Sequence, residues 1–125
     1  MTDSSWVGSE YRRGQIVLVE LDPARGSEQA KTRPAVIVSN DAANAAASAN
    51  DLGVVTVVPL TSNTSRVRGY QVLIPAAHSG LPLDSKAQAE QVRAISTIRI
   101  VRPLGLLPLR TMAMLDDALR VHLAL

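Results

Sequence analysis

The chain has 125 residues, enough for a single domain with a real core. Its net charge of +2 is mild and neither demands nor excludes nucleic acid. The absence of cysteine excludes a disulfide framework and a thiolate metal site. With Trp6, Tyr11 and Tyr70 as its only aromatic residues, the chain does not read as a single-strand binder built on rows of stacking rings.

Met1–Glu10 is polar and acidic, without the apolar run of a signal peptide. No stretch approaches the ~18 continuous apolar residues of a membrane span. A soluble, cytoplasmic protein with no membrane partner is expected. Residues 1–13 read as a flexible tail and residues 14–125 as the domain.

Gln15–Leu21 (QIVLVEL) is dominated by branched apolar residues and predicts a first strand, broken by Asp22-Pro23. Ala24–Arg33 is then a connection of about ten residues, a length associated with function in small domains. Ala35–Ser39 predicts a second strand, which leaves Arg33 at a loop–strand junction. Asn40-Asp41 can cap the alanine-rich run Ala42–Ala49 as a short helix. Val54–Leu60 (VVTVVPL) predicts a third strand buried on both faces, followed by the polar, basic loop Thr61–Arg68 (TSNTSRVR).

Gly69–Ile74 predicts a fourth strand, and Pro75–Asp84 a loop. Ser85–Ile95 (SKAQAEQVRAI) fits either a helix or a strand with Gln88, Glu90 or Gln91 near a site. Ile98–Val101 predicts a short strand that Pro103–Pro108 interrupts. Thr111–Leu123 is the clearest helix, with Met112, Leu115, Leu119 and Leu123 on one stripe. Asp116 and Arg120 are spaced to pair weakly on it. Five or six strands with a terminal helix predict a mainly β (α+β) fold, a small antiparallel barrel or sheet carrying a packed helix.

A metal site has little support, because His78 and His122 lie far apart and match no ligand spacing. A nucleophilic triad lacks both an elbow motif and a histidine beside a plausible serine. Phosphate chemistry fits better. Pro34 biases Arg33 toward extended geometry, and a guanidinium so held can grip a phosphate through two bonds. Thr61 and Ser62 end the third strand and would lie near Arg33 if the second and third strands pair. Glu28 would orient Arg33 or take a proton. From pattern alone, a Glu–Arg surface pair beside a polar turn explains the same residues equally well.

The wording of the chain is more specific. Arg12–Asp41 (RRGQIVLVELDPARGSEQAKTRPAVIVSND) closely resembles the opening of the MazF/PemK (Kid) toxins of type II toxin–antitoxin modules. That opening reads R-G-x-(I/V), a strand, D-P, G-x-E-Q-x-G-x-R-P and a hydrophobic strand ending near N-D. Val57–Ser62 (VVPLTS) resembles the family's next strand. Ser85–Ile95 (SKAQAEQVRAI), with Glu90-Gln91-Val92-Arg93, resembles its later D-S-x-x-x-x-x-Q-x-R-x-I segment, and ALRVHLAL its closing helix.

The resemblance implies an SH3-like barrel and a homodimer that cuts single-stranded RNA at particular sequences. It implies no metal or other cofactor, products with a 2′,3′-cyclic phosphate and a 5′-hydroxyl, and inhibition by a cognate MazE-like antitoxin. Carried onto matching positions, Arg33 and Thr61 would be the catalytic pair, with Glu28 as supporting contact or base. Substrate contacts would come from Ser27, Gln29, Lys31, Ser62, Arg66, Arg68, Gln91 and Arg93. Lys31 stands where the family often has glycine, which stiffens the loop and adds charge.

The product chemistry agrees with the residues. The RNA's own 2′-hydroxyl is the nucleophile, so the protein supplies only a base, an acid and a positive group for the phosphorane. Arginine stays charged in water, which favours phosphate stabilisation and proton donation for Arg33 over a role as base. Loops Thr61–Arg68 and Pro75–Asp84 would flank the groove and read bases. Two other readings share the fold: a gyrase-poisoning toxin of the CcdB kind, and a homologue that only binds RNA or antitoxin. The chain ends VHLAL without the terminal aromatic of the former, and it keeps the arginine and threonine that the latter does not require.

Overall fold

In a computed structural model, residues 11–21, 31–50 and 52–125 are described. Among them are seven strands and two α-helices: β1 (Gln15–Glu20), β2 (Thr32–Ile37), α1 (Asp41–Ser48), β3 (Val54–Thr61), β4 (Gln71–Ile74), β5 (Ser85–Gln88), β6 (Arg93–Ser96), β7 (Ile100–Leu106) and α2 (Leu109–Leu123). The strands form one antiparallel sheet in the order β4-β5-β3-β2-β1-β7, with β6 also on β3. It is a barrel-like arrangement that stays open, with β4 and β7 as its edges.

The runs of branched residues reflect a sheet covered on both faces. Strand alternation sends Ile16, Val36, Val58 and Leu60 to one side, where Met112, Leu115 and Ala118 of α2 pack against them. It sends Val17, Val19, Ala35, Ile37, Val55 and Val57 to the other side, together with Ile95 and with Ala47 of α1. Asn40 caps α1 by accepting from the Ala43 N–H at 2.8 Å, as its sequence predicts. Gly53 brings the start of β3 against α1: a Cβ there would stand 2.5 Å from the Ala47 backbone.

Arg13 ties the sheet to α2. Its backbone N–H donates to Asp41, its Nε–H to the Val38 carbonyl, and both terminal nitrogens to the carboxylate of Asp116. Gly14 follows at φ +91°, a conformation that suits glycine, and exchanges backbone hydrogen bonds with Ile37 and Leu107.

Several expectations are corrected. The second strand begins at Thr32, so Arg33 and Pro34 lie inside β2, opposite Val19 and Leu18 of β1. Strand β7 runs through Pro103 rather than stopping before it. It is an edge strand with register shifts against β1, the setting in which a missing N–H is tolerated. The ambiguous Ser85–Ile95 is β5, a 3-10 turn at Ala89–Gln91, and the start of β6. A second 3-10 turn, Ala76–His78, sits within the Pro75–Asp84 loop. Asp116 pairs with Arg13 and not with Arg120, which pairs instead with Asp117. Leu123 is exposed, and the buried residues of α2 are Met112, Leu115 and Ala118.

Candidate functional site

Strands β2 and β3 pair with Ala35 opposite Pro59, Val36 opposite Val58 and Ile37 opposite Val57. The same register carried toward the ends of both strands sets Arg33 opposite Thr61. Directly opposed residues of an antiparallel pair share a face. Arg33 and Thr61 therefore point the same way, where the apolar cover of that face has run out.

Two depressions meet at Arg33. One, of about 420 Å³, is lined by Arg33, Thr61 and Ser62 with Pro34, Leu60, Leu81, Leu83 and Ser85. The other, of about 260 Å³, is lined by Arg33 with Leu21, Pro59, Gln88, Gln91 and Arg93. Arg33 is exposed, and among the described residues no carboxylate pairs with it. It lines both depressions.

Thr61 is oriented by its own turn. Its Oγ1 accepts the Asn63 N–H at 3.2 Å. A hydroxyl has one proton and two acceptor sites, so a hydroxyl that accepts from Asn63 keeps its proton to give to a ligand oxygen. The pair thus presents a guanidinium fork and an O–H donor to the same groove, a combination suited to the oxygens of a phosphodiester.

Of the residues expected at the site, Arg33, Thr61 and Ser62 come together in the larger groove, and Gln91 and Arg93 join Arg33 in the smaller one. Lys31, Arg66 and Arg68 are exposed and line neither groove. Ser27, Glu28 and Gln29 lie outside the described residues. Lys86 was not anticipated. It stands opposite Thr61 in the β3–β5 register, and its Nζ donates to the Arg66 carbonyl. In β5, Ser85 and Ala87 are buried while Lys86 and Gln88 are half-buried on the other face. Among the described residues no three of His, Cys, Asp and Glu gather as metal ligands. His122 is exposed and stacks obliquely on Tyr70, the ring centres 6.4 Å apart.

Residues 12–123 match the model of the PemK-like, MazF-like toxins of type II toxin–antitoxin systems. The chain is 55% identical to the endoribonuclease MazF9 of Mycobacterium tuberculosis over 114 residues, 91% of this chain and 97% of that one. It is 32% identical to the endoribonuclease MazF of Staphylococcus epidermidis, over 91% of this chain and 92% of that one. Among solved structures, a mycobacterial endoribonuclease in complex with its cognate antitoxin superposes with a TM-score of 0.72 at 25% identity, covering 92% of this chain and 96% of that one. MazF of Deinococcus radiodurans shares the fold at a TM-score of 0.72 and 23% identity, over 93% of this chain and 98% of that one. The chain belongs to the PemK-like, MazF-like toxins of type II toxin–antitoxin systems.

Proposed function

We propose that the chain is the toxin of such a module and cuts single-stranded RNA at specific sequences, without a metal, through Arg33 and Thr61. The observation that carries this is the meeting of those two residues in one groove, the guanidinium unpaired among the described residues and the hydroxyl accepting from Asn63 so that its proton is left to donate. In the reaction the 2′-oxygen of a ribose attacks the adjacent phosphorus. The bond from phosphorus to the 5′-oxygen breaks, leaving a 2′,3′-cyclic phosphate and a 5′-hydroxyl. Charge builds on the non-bridging oxygens, where Arg33 and Thr61 donate. Glu28 takes the 2′-hydroxyl proton, and Arg33 serves the leaving oxygen as proton donor.

Gln91 and Arg93, beyond Arg33, hold the neighbouring nucleotides, and Ser62 holds them on the Thr61 side. Ser27, Gln29, Lys31, Arg66 and Arg68 add further contacts to the RNA. Arg33, Lys31, Arg66, Arg68 and Arg93 make this a surface for an acidic antitoxin segment. The protein works in the cytoplasm as a two-fold dimer, an assembly by which a small barrel with exposed apolar side chains buries some of that surface.

The test is incubation of the purified protein with a long single-stranded RNA in EDTA, followed by mapping of the cut ends. Cuts bearing 5′-hydroxyl groups at one recurring short motif are expected, with none in DNA of the same sequence, which lacks the nucleophile. Folded, antitoxin-free protein that leaves every RNA intact would reject the proposal.

A further inference from the structure

We propose that Lys86 is a positioning residue that fixes residues 62–70 beside the groove, and so governs which bases are cut without joining the bond-making step. The inference rests on the endoribonuclease reading above.

The segment between β3 and β4 is fastened at three places. At its start, the Asn63 N–H donates to Thr61 Oγ1, and Asn63 Oδ1 in turn accepts from the N–H and hydroxyl of Ser65. At its end, the Arg68 N–H donates to Gln71 Oε1 at 3.0 Å, and Gln71 Nε2 donates to Glu90 Oε2 at 2.7 Å. Gln71 is buried and so holds that end firmly. Between these two, among the described residues, the long-range bond is from Lys86 Nζ to the Arg66 carbonyl. Lys86 is rigid at its base, because β5 is paired on both sides, with Thr61 of β3 and Leu73 of β4.

Lys86 therefore stands next to Thr61 in the sheet and reaches over to hold the middle of the segment that Thr61 begins. Removing it leaves both ends fastened and both pairing partners of β5 in place. What changes is where Asn63, Ser65 and Arg66 present their polar groups relative to Ser62 and the groove. Base edges are told apart by placed donors and acceptors, so loosening this segment costs discrimination first. An ammonium that touched the RNA backbone instead would act alike on every sequence.

The experiment compares wild type, Lys86→Met and Lys86→Arg on a pool of RNAs carrying the preferred motif and its single-base variants. Amide hydrogen exchange of residues 63–67 is followed in parallel. For Lys86→Met, kcat/KM on the preferred motif is expected to fall about tenfold, the scale of one charged hydrogen bond, with kcat within about threefold and single-base variants cut nearly as before. The preference narrows accordingly, and exchange in residues 63–67 speeds up. Lys86→Arg keeps a cationic donor and restores both.

A uniform fall on all sequences together with a shallower salt dependence would make Lys86 a phosphate contact and overturn the proposal. Unchanged exchange in residues 63–67 would overturn it as well. If Lys86→Met loosens the segment while wild type cuts no RNA, the claim about base choice fails together with the endoribonuclease reading. If wild type cuts and Lys86→Met keeps the motif unchanged, the claim about Lys86 fails alone.

Discussion

Arg33 on β2 and Thr61 on β3 line one groove, two residues beyond the last pair of the β2–β3 register, although α1 lies between them in the chain. The register that opposes them is the one that buries Ala35, Val36 and Ile37 of β2 against Val57 and Val58 of β3. A slip of one residue would exchange the two faces of β2, taking Val36 out of the core under α2 and moving Ala35 and Ile37 out of the core on the other side, so both cores would have to repack. Packing energy in the middle of the strands therefore holds the reacting groups at their ends, and no separate device is required to bring them together.

Arg33→Ala is expected to lower kcat by about 10³-fold or more, since it removes the fork that meets the phosphorane charge. Arg33→Lys restores little, because an ammonium is a point charge without the planar pair of donors. The measurement is single-turnover cleavage of an RNA with one site. An Arg33→Ala variant with normal turnover would remove Arg33 from the chemistry. The fold is indifferent to the change: Arg33 is exposed, and its thermal melt should match wild type.

Thr61→Val is expected to cost about 10–10²-fold in kcat, with Thr61→Ser within a few fold of wild type. Valine keeps the branched shape that suits a strand and removes both the proton offered to the ligand and the acceptor for the Asn63 N–H. Serine keeps both. If valine and serine behave alike, the hydroxyl has no part in the reaction.

Glu28→Gln tests the base. Loss of a general base typically costs about 10²–10⁴-fold, and glutamine keeps the size and the hydrogen-bonding reach of the side chain. The expected outcome is a fall in kcat with KM little changed. A small effect would move the proton to another acceptor and leave the roles of Arg33 and Thr61 standing.

Much of the fold around this candidate site is legible in the sequence. The strand cores Gln15–Glu20 and Val54–Thr61 announce themselves because a sheet covered on both faces needs branched apolar residues at every position. Arg33 was visible through Pro34, and Asn40 through the helix it caps. The misplaced boundaries share a cause. Proline in a sequence suggests a strand limit, yet β2 includes Pro34 and β7 includes Pro103. Proline forbids a hydrogen bond from its own nitrogen but permits extended backbone. Lys86 stayed hidden because its meaning depends on the register of β5 against β3, and a four-residue strand of small and polar side chains carries no periodic signal strong enough to fix that. The pairing of Asp116 was misread for a related reason: spacing on α2 offered Arg120, while the fold supplies Arg13 from across the chain.

That last pair supports a stability prediction. Arg13 and Asp116 are about two-thirds buried, and Arg13 also donates to the Val38 carbonyl, so one side chain joins α2 to the end of β2. Arg13→Ala and Asp116→Asn are each expected to destabilise the fold by about 1–2 kcal/mol, the range for a charged hydrogen bond reduced for partial exposure. For a chain of this length, that corresponds to a drop in Tm of roughly 3–10 °C. The double variant should lose less than the sum, because the second change removes a partner already missing. Asp117→Asn is the control: its pair with Arg120 is largely in water and should contribute close to nothing. Thermal melts of the four variants decide the matter. Equal losses from Asp116→Asn and Asp117→Asn would show that the tie between α2 and the sheet is apolar, carried by Met112, Leu115 and Ala118 alone.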